Sequence, residues 1–259
     1  MKENSPFYEQ KQIFDAHVHM GYFPRIQYAE LFYYSPRRIF NVLRRCQTSE
    51  FIISSTCAQI SGIRIVDIVR EAHEIKCLAG SRAHIFFWLS GHLYDADPTM
   101  KWMDLGIFEG IKLHECETPW VNERWSDLQR ILSIVEERCL PVICHSGFSQ
   151  ECRPLVLEKM AKRFPAVHFN FAHCHPMDEI AKVIARHDNV WTDTAYLPFE
   201  EYKNLHNYDW RGRVMFGTDM PVWQSYEEVS LVERYRKCVA AFSKTNLDGK
   251  SAFIKFFNY

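Results

Sequence analysis

Two histidines one residue apart, His17 and His19, leave an apolar run in the stretch Ile13-Phe14-Asp15-Ala16-His17-Val18-His19. On a strand, alternate side chains share a face. The two imidazoles therefore point the same way, roughly 6–7 Å apart along the backbone, and together can hold one divalent cation. Further apolar runs also end in ionisable residues: Gly110-Ile111-Lys112-Leu113-His114, Pro141-Val142-Ile143-Cys144-His145, Phe169-Asn170-Phe171-Ala172-His173 and Met215-Phe216-Gly217-Thr218-Asp219. Singly, each has an ordinary explanation. His145 or His173 could be a hydrogen-bonded core histidine, Lys112 a strand-end lysine reaching water, and Asp219 a cap on the turn at Met220-Pro221. Jointly they are charges placed where apolar runs would bury them, which is costly without an organising ion. A divalent metal supplies that organisation. Mixed imidazole and carboxylate donors suit Zn²⁺, with Mn²⁺ the alternative as the oxygen share rises.

The elements that position these residues alternate along the chain. Strands are expected at Ile13–His17, Phe51–Ser55, His84–Leu89, Gly110–Leu113, Pro141–His145, Val167–His173, Asn189–Thr194 and Val214–Thr218, each a short run of the kind buried on both faces. Helical spacing fills the gaps. Ser35-Pro36 reads as an N-cap with Pro at N1, followed by Ile39, Val42, Leu43 and Cys46. Ile65, Ile68, Val69, Ala72 and Ile75 form another stripe, and Ser126 with Gln129 resembles a capping box leading into Leu128, Ile131, Leu132 and Val135. Helices are expected also at 154–164, 177–187 and 227–242, with a shorter one at Phe199–His206. Eight strands each followed by helical material predict an α/β chain folded as a (β/α)₈ TIM barrel. A doubly wound sheet alternates in the same way but usually carries a Gly-rich phosphate turn after its first strand, where only Gly21 lies nearby. No repeat or linker divides the chain, so residues 1–259 are read as one domain, with barrel strands over about 13–219 and a C-terminal helix and tail over 225–259. In such a barrel all the ionisable strand ends ring one rim, where active sites of this architecture are built.

Composition sets the outer bounds. In 259 residues, 47% are hydrophobic and the formal net charge is −1, so nothing points to a polyanionic partner. The basic pairs Arg37-Arg38 and Arg44-Arg45 read as the wet face of one helix. No apolar run reaches the roughly 18 residues of a membrane span, and Met1–Gln12 lacks the pattern of a secretory signal. The nine cysteines lack paired spacing; Cys46, Cys77 and Cys144 sit in apolar runs as buried thiols, which predicts a reducing cytoplasm.

Five motifs, in order along the chain, resemble the metal-dependent amidohydrolase superfamily. They are Asp15-Ala16-His17-Val18-His19, Gly110-Ile111-Lys112-Leu113-His114, His145-Ser146-Gly147, Ala172-His173-Cys174 and Phe216-Gly217-Thr218-Asp219-Met220-Pro221. The likeness is to the branch of small TIM-barrel hydrolases and non-oxidative decarboxylases. It implies that His17, His19 and Asp219 bind a first metal, with His145 on or close to it. It implies that His173 binds a second metal or acts on substrate or water, and that Lys112 stands where binuclear members carry a bridging carboxylated lysine. Two departures are His175, where relatives often have glycine, and Glu115, which replaces a usual proline. The implied chemistry is hydrolysis of an amide, lactone or ester in a small molecule: water made acidic by the metal, Asp219 moving its proton and His173 steadying the oxyanion. Decarboxylation on the same scaffold is the alternative, and a non-catalytic barrel with a closed structural metal is the reading from another class. One or two ions fit. No nucleic acid or membrane partner is expected, and a homo-oligomer is left open.

Substrate choice falls to the loops after the strands. Tyr22, Arg25, Trp88, His92, Trp120, Arg153 and Tyr196 are the rim candidates, the two arginines as grips for a substrate carboxylate. The aromatic stretch Tyr28–Tyr34 reads as a lid or dimer surface, and the tail Phe253–Tyr259 is expected to dock on the barrel.

Overall fold

The apolar runs form one curled sheet around an ionisable mouth. A computed structural model describes residues 12–25, 30–147, 149–225 and 230–258. Its strands are β1 (Ile13–Arg25), β2 (Glu30–Tyr34), β3 (Thr48–Ser55), β4 (Ala83–Trp88), β5 (Gly110–Leu113), β6 (Val142–Cys144), β7 (Phe169–Phe171), β8 (Val190–Asp193) and β9 (Val214–Met215). All eight expected strands are present, paired in parallel from β1 through β3 to β9. The segment after β9 meets β1 again. Ala16 N–H donates to Phe216 O at 2.8 Å, Asp219 N–H to His17 O at 2.8 Å and His19 N–H to Met220 O at 2.7 Å, with a parallel bridge between Val18 and Met220. These bonds close the cylinder.

β1 extends well beyond its expected end. It continues past the histidines and pairs antiparallel with β2, from Gly21 opposite Tyr34 to Arg25 opposite Glu30. The aromatic stretch is therefore partly a hairpin arm. Tyr33 packs tilted against Tyr22, ring centres 4.8 Å apart, while Tyr34 is buried; Tyr28 lies outside the described residues. Gly21 allows this bend, since its φ is +106° and a Cβ there would lie 2.7 Å from Thr56 Oγ1.

The helices cover the outer face: α1 (Pro36–Arg45), α2 (Ile65–Ala79), α3 (Gly91–Ala96), α4 (Trp125–Glu137), α5 (Pro154–Arg163), α6 (Met177–Arg186) and α7 (Leu231–Phe242). Ser35 caps α1 as expected, accepting from Arg38 N–H, and both basic pairs are exposed on it. The expected Ser126–Gln129 box does not form. Helix α4 starts two residues earlier, after Arg124, whose guanidinium binds Asp127 at 2.7 Å and Asp95 instead. The segment Phe199–Asn207 is 3₁₀ rather than α. Phe199, Tyr202 and Leu205 recur every three residues, and side chains so spaced share a face of the tighter helix. Cys77, expected buried, is exposed on α2, whereas Cys46 and Cys144 are buried.

The bottom of the barrel is plugged by α8 (Gly249–Phe257). Phe253 and Phe256 join Phe14, Ile52, Phe86, Ile143, Trp191 and Met215 in one buried cluster, with Phe14 and Phe253 rings 5.3 Å apart. The tail thus docks as expected, with Tyr259 outside the described residues. Among the described residues no helix is long and apolar enough to cross a membrane. With one end sealed by aromatics, the ionisable residues gather at the other.

Candidate metal centre

Three donors converge at the mouth from the two strands that close the barrel. His19 Nε2 lies 3.0 Å from Asp219 Oδ1, His17 Nε2 lies 3.6 Å from it, and the two Nε2 atoms are 3.1 Å apart. All three side chains are buried. The backbone is shaped for this. Asp219 takes a positive φ of 56°, and Asp15 accepts from Thr218 Oγ1 at 2.7 Å and from the N–H groups of His17 and Thr218, both at 3.1 Å. The motif Asp15-Ala16-His17 therefore clamps the Asp219 turn to the first strand. Burial raises the Asp15 carboxyl to about 7 against these hydrogen bonds.

Outer partners set the rings. His17 Nδ1 donates to Asp193 Oδ2 at 3.0 Å, and His19 Nδ1 faces Ser54 Oγ at 2.9 Å. The carboxylate fixes the His17 proton on Nδ1 and leaves its Nε2 lone pair toward the nest, and His19 matches it when its Nδ1 donates to Ser54. Burial, with the Lys112 charge adding to it, lowers His19 to about 3, so it is neutral. Burial opposes the charge of Asp219, yet the adjoining His19, His17 and His173 rings hold its carboxyl well below the usual range. Two ring lone pairs facing each other at 3.1 Å, beside a carboxylate, repel unless a cation stands among them. The donor set thus fits a divalent ion bound by His17, His19 and Asp219.

Lys112, at the end of β5, reaches the same point. Its Nζ lies 2.5 Å from His17 Nε2 and 3.1 Å from His19 Nε2, with the Trp88 ring 4.7 Å away. The ammonium stands in for the cation. Burial lowers its pKa to about 8.

His173 and His145 form a second tier. His173 Nδ1 lies 3.0 Å from Ala195 O, a carbonyl that can only accept, so Nδ1 carries the proton. His173 Nε2 then accepts from His145 Nδ1 at 2.9 Å, which leaves the lone pair of His145 on Nε2. Burial lowers His173 to about 4 and lowers His145 as well. His173 packs against His17, ring centres 5.0 Å apart, whereas His145 touches the nest only through His173. His145 stacks instead on His114 at 4.0 Å.

Asp193, at the end of β8, is the functional residue that strand-end reading passed over. Besides His17 it accepts from Asn170 Nδ2 at 2.6 Å, His173 N–H at 3.1 Å and Ala195 N–H at 2.9 Å. Its place near the end of an expected strand was the available signal. Burial opposes its charge, but the contacts with His17, His173 and Asn170 outweigh it and hold the carboxyl well below the usual range.

The rim candidates divide. Trp88 lines the nest and donates to Glu117 at 3.0 Å. Trp120 is fully buried against Tyr94, a core residue. Arg153 is engaged by Glu179. Tyr22 and Tyr196 are exposed, the latter at a positive φ of 59° in the turn after β8. His92 is exposed beside Ser90, and His175 is half-buried. The side chain of Arg25 lies outside the described residues. Glu115 turns inward, accepting Val121 N–H at 3.0 Å. The expectation that cysteines lack pairing is corrected at this rim: Cys116 and Cys152 form a disulfide between the loops after β5 and β6. Their separation of 36 residues has no short-motif signature.

Residues 96–241 match the family model described as Amidohydrolase. No curated protein sequence matches the chain. Among solved structures the chain is similar to a probable 2-pyrone-4,6-dicarboxylic acid hydrolase from Acinetobacter baumannii, solved with citric acid bound. Identity is 12%, 96% of this chain and 100% of that one are covered, and the TM-score is 0.66. A putative 2-pyrone-4,6-dicarboxylic acid hydrolase from Pseudomonas putida gives 14% identity, 96% and 98% coverage and a TM-score of 0.64. The apo form of IDCase from Metarhizium anisopliae gives 12% identity, 96% and 97% coverage and a TM-score of 0.64.

Proposed function

The chain belongs to the amidohydrolase family, and on that premise we propose that it is a metal-dependent hydrolase opening an amide, lactone or ester bond in a small molecule. The observation that carries this reading is the buried nest of His17 Nε2, His19 Nε2 and Asp219 Oδ1, opposite the end of the barrel that α8 plugs. A divalent ion held there, zinc best and manganese next, would acidify water and polarise the scissile carbonyl. Asp219, anionic and beside His19, is the base that takes a proton from the attacking water and returns it to the leaving group. His173, with its Nε2 lone pair directed at this tier, orients water or substrate or holds a second ion. Lys112 has two uses. Protonated, it donates to a substrate oxygen; as the free amine that its lowered pKa favours, it can take up CO₂ as a carbamate and release a proton.

The citric acid bound to the A. baumannii relative and the ammonium of Lys112 support a substrate bearing carboxylates. Decarboxylation is the second reading. It is favoured by the three-donor nest being compatible with a single ion, which suffices to hold a carboxylate. The seven free cysteines support a reducing compartment. The test is metal removal. Chelated protein should lose turnover on lactone and amide panels and regain it with zinc or manganese, without CO₂ release. Full activity in metal-free protein would end the hydrolase reading, and CO₂ release from a carboxylate panel would select the second.

A further inference from the structure

Another cluster with metal-binding chemistry lies beside this nest. The sulfurs of Cys116 and Cys152 and a ring nitrogen of His145 are all within 4.8 Å of one another. Cys116 is exposed on the loop after β5, Cys152 is fully buried in the turn before α5, and His145 is half-buried beside them and bonded to His173. The hydrogen-bond chain from Ala195 through His173 commits the Nδ1 proton of His145 inward and leaves its Nε2 a free lone pair.

We propose that Cys116, Cys152 and His145 form a second metal site in the dithiol state, taking a soft or borderline divalent ion such as zinc or cadmium. It is separate from the oxygen-and-nitrogen nest of His17, His19 and Asp219 and does not depend on the hydrolase reading.

The donor chemistry is that of a thiolate–imidazole site, which divalent zinc and cadmium favour over carboxylate-rich ones. Zn–S bonds of about 2.3 Å and Zn–N bonds of about 2.0 Å place ligand atoms roughly 3.3–3.8 Å apart, inside the observed spread. The Cα atoms of the cysteines are 6.5 Å apart, towards the wide end of the disulfide range, so the freed sulfurs can part around an ion by side-chain rotation. Ser149 Oγ lies 3.0 Å from Cys116 Sγ and can donate to a thiolate there. Three protein donors leave a fourth position for water or a substrate atom. The disulfide and the metal site exclude each other. Attack by two small thiols converts the disulfide to two cysteine thiols and one small disulfide, and metal binding then releases the two thiol protons. The exposure of Cys116 gives the attacking thiol access.

The probe is cadmium added to the full chain, stripped of metal, with and without phosphine reduction. Reduced protein should develop the ultraviolet thiolate-to-cadmium charge-transfer band, saturating near about one equivalent, as a Cys₂His site requires. Oxidised protein should not. Cys116→Ser, a change at an exposed position, should weaken cadmium binding by about 100-fold or more, on the scale of losing a soft ligand. On the unmodified chain, bound cadmium should protect Cys116 and Cys152 from alkylation, read peptide by peptide by mass spectrometry. Failure of the hydrolase reading leaves these signals intact, because the nest contains no sulfur. A reduced protein with no band, a band unchanged in Cys116→Ser, or alkylation of both cysteines at saturating cadmium overturns the proposal.

Discussion

Replacing Asp193 by Asn tests whether the metal nest is set from behind. The Asp193 carboxylate accepts four hydrogen bonds, two from backbone N–H groups of His173 and Ala195 and two from His17 Nδ1 and Asn170 Nδ2. Asparagine keeps one oxygen for the backbone pair. Its new NH₂ faces Asn170, whose Oδ1 has no partner and can turn to accept it. What cannot be repaired is His17. Facing a donor, its Nδ1 must accept, so the proton moves to Nε2 and the lone pair leaves the nest. A charge-assisted hydrogen bond of this kind is worth about 1.5–3 kcal/mol. At 1.4 kcal/mol per decade that corresponds to about 10- to 100-fold weaker zinc binding, the range seen when such outer partners are removed. Zinc titration against a chromophoric chelator reads the constant, and far-ultraviolet circular dichroism checks the fold. A folded Asp193→Asn protein binding zinc within about twofold of wild type would refute the tautomer argument.

Other perturbations separate catalysis from architecture. Asp219→Asn should keep the fold and lose about 10²- to 10⁴-fold in turnover at saturating metal, the range for a removed proton-transfer group; undiminished steady-state rates would remove Asp219 from the chemistry. Glu115 is buried, which raises its carboxyl to about 7 from 4.5. A raised folded pKa means stability present below pH 4.5 and lost as pH rises through 7, so Glu115→Gln should be more stable than wild type by about 2–3 kcal/mol at pH 8 and equal at pH 4. Denaturant melts at both values decide it, and a pH-independent difference would contradict the cause. Phe253→Ala, which empties part of the bottom plug, should cost about 3–5 kcal/mol in denaturant melts while leaving zinc affinity of the folded protein unchanged. A loss of affinity without a loss of stability would show that the plug does something else.

Much of this was readable in the chain because burial on both faces makes barrel strands uniformly apolar. A run such as Val142–Cys144 is therefore conspicuous, and its ionisable successor His145 stands out against it. The same rule hid Asp193. It lies inside the polar end Thr192-Asp193-Thr194, where hydroxyl neighbours dilute the contrast. The β2 arm was also invisible as a strand, since its aromatic composition fits a lid equally well and only pairing with Gly21–Arg25 settles its state. The Cys116–Cys152 contact depends on two loops meeting at the rim, a tertiary fact with no local periodicity. The 3₁₀ segment at Phe199–Asn207 reads as α-helix in sequence because three anchors at a spacing of three fit a short α-helical stripe nearly as well.

The three donors of the nest sit astride the seam where the first and last strands of the cylinder join, and Asp15 and Thr218, which fasten that seam, are 203 positions apart. The ribosome must therefore release the chain at least as far as Asp219 before the nest can exist at all. An ion captured there rivets the first and last walls of the cylinder together, so its uptake reports ring closure as directly as it prepares for reaction. Stripping the ion should let amide exchange quicken first along Ala16, His19 and Asp219, while the opposite wall of the cylinder stays protected.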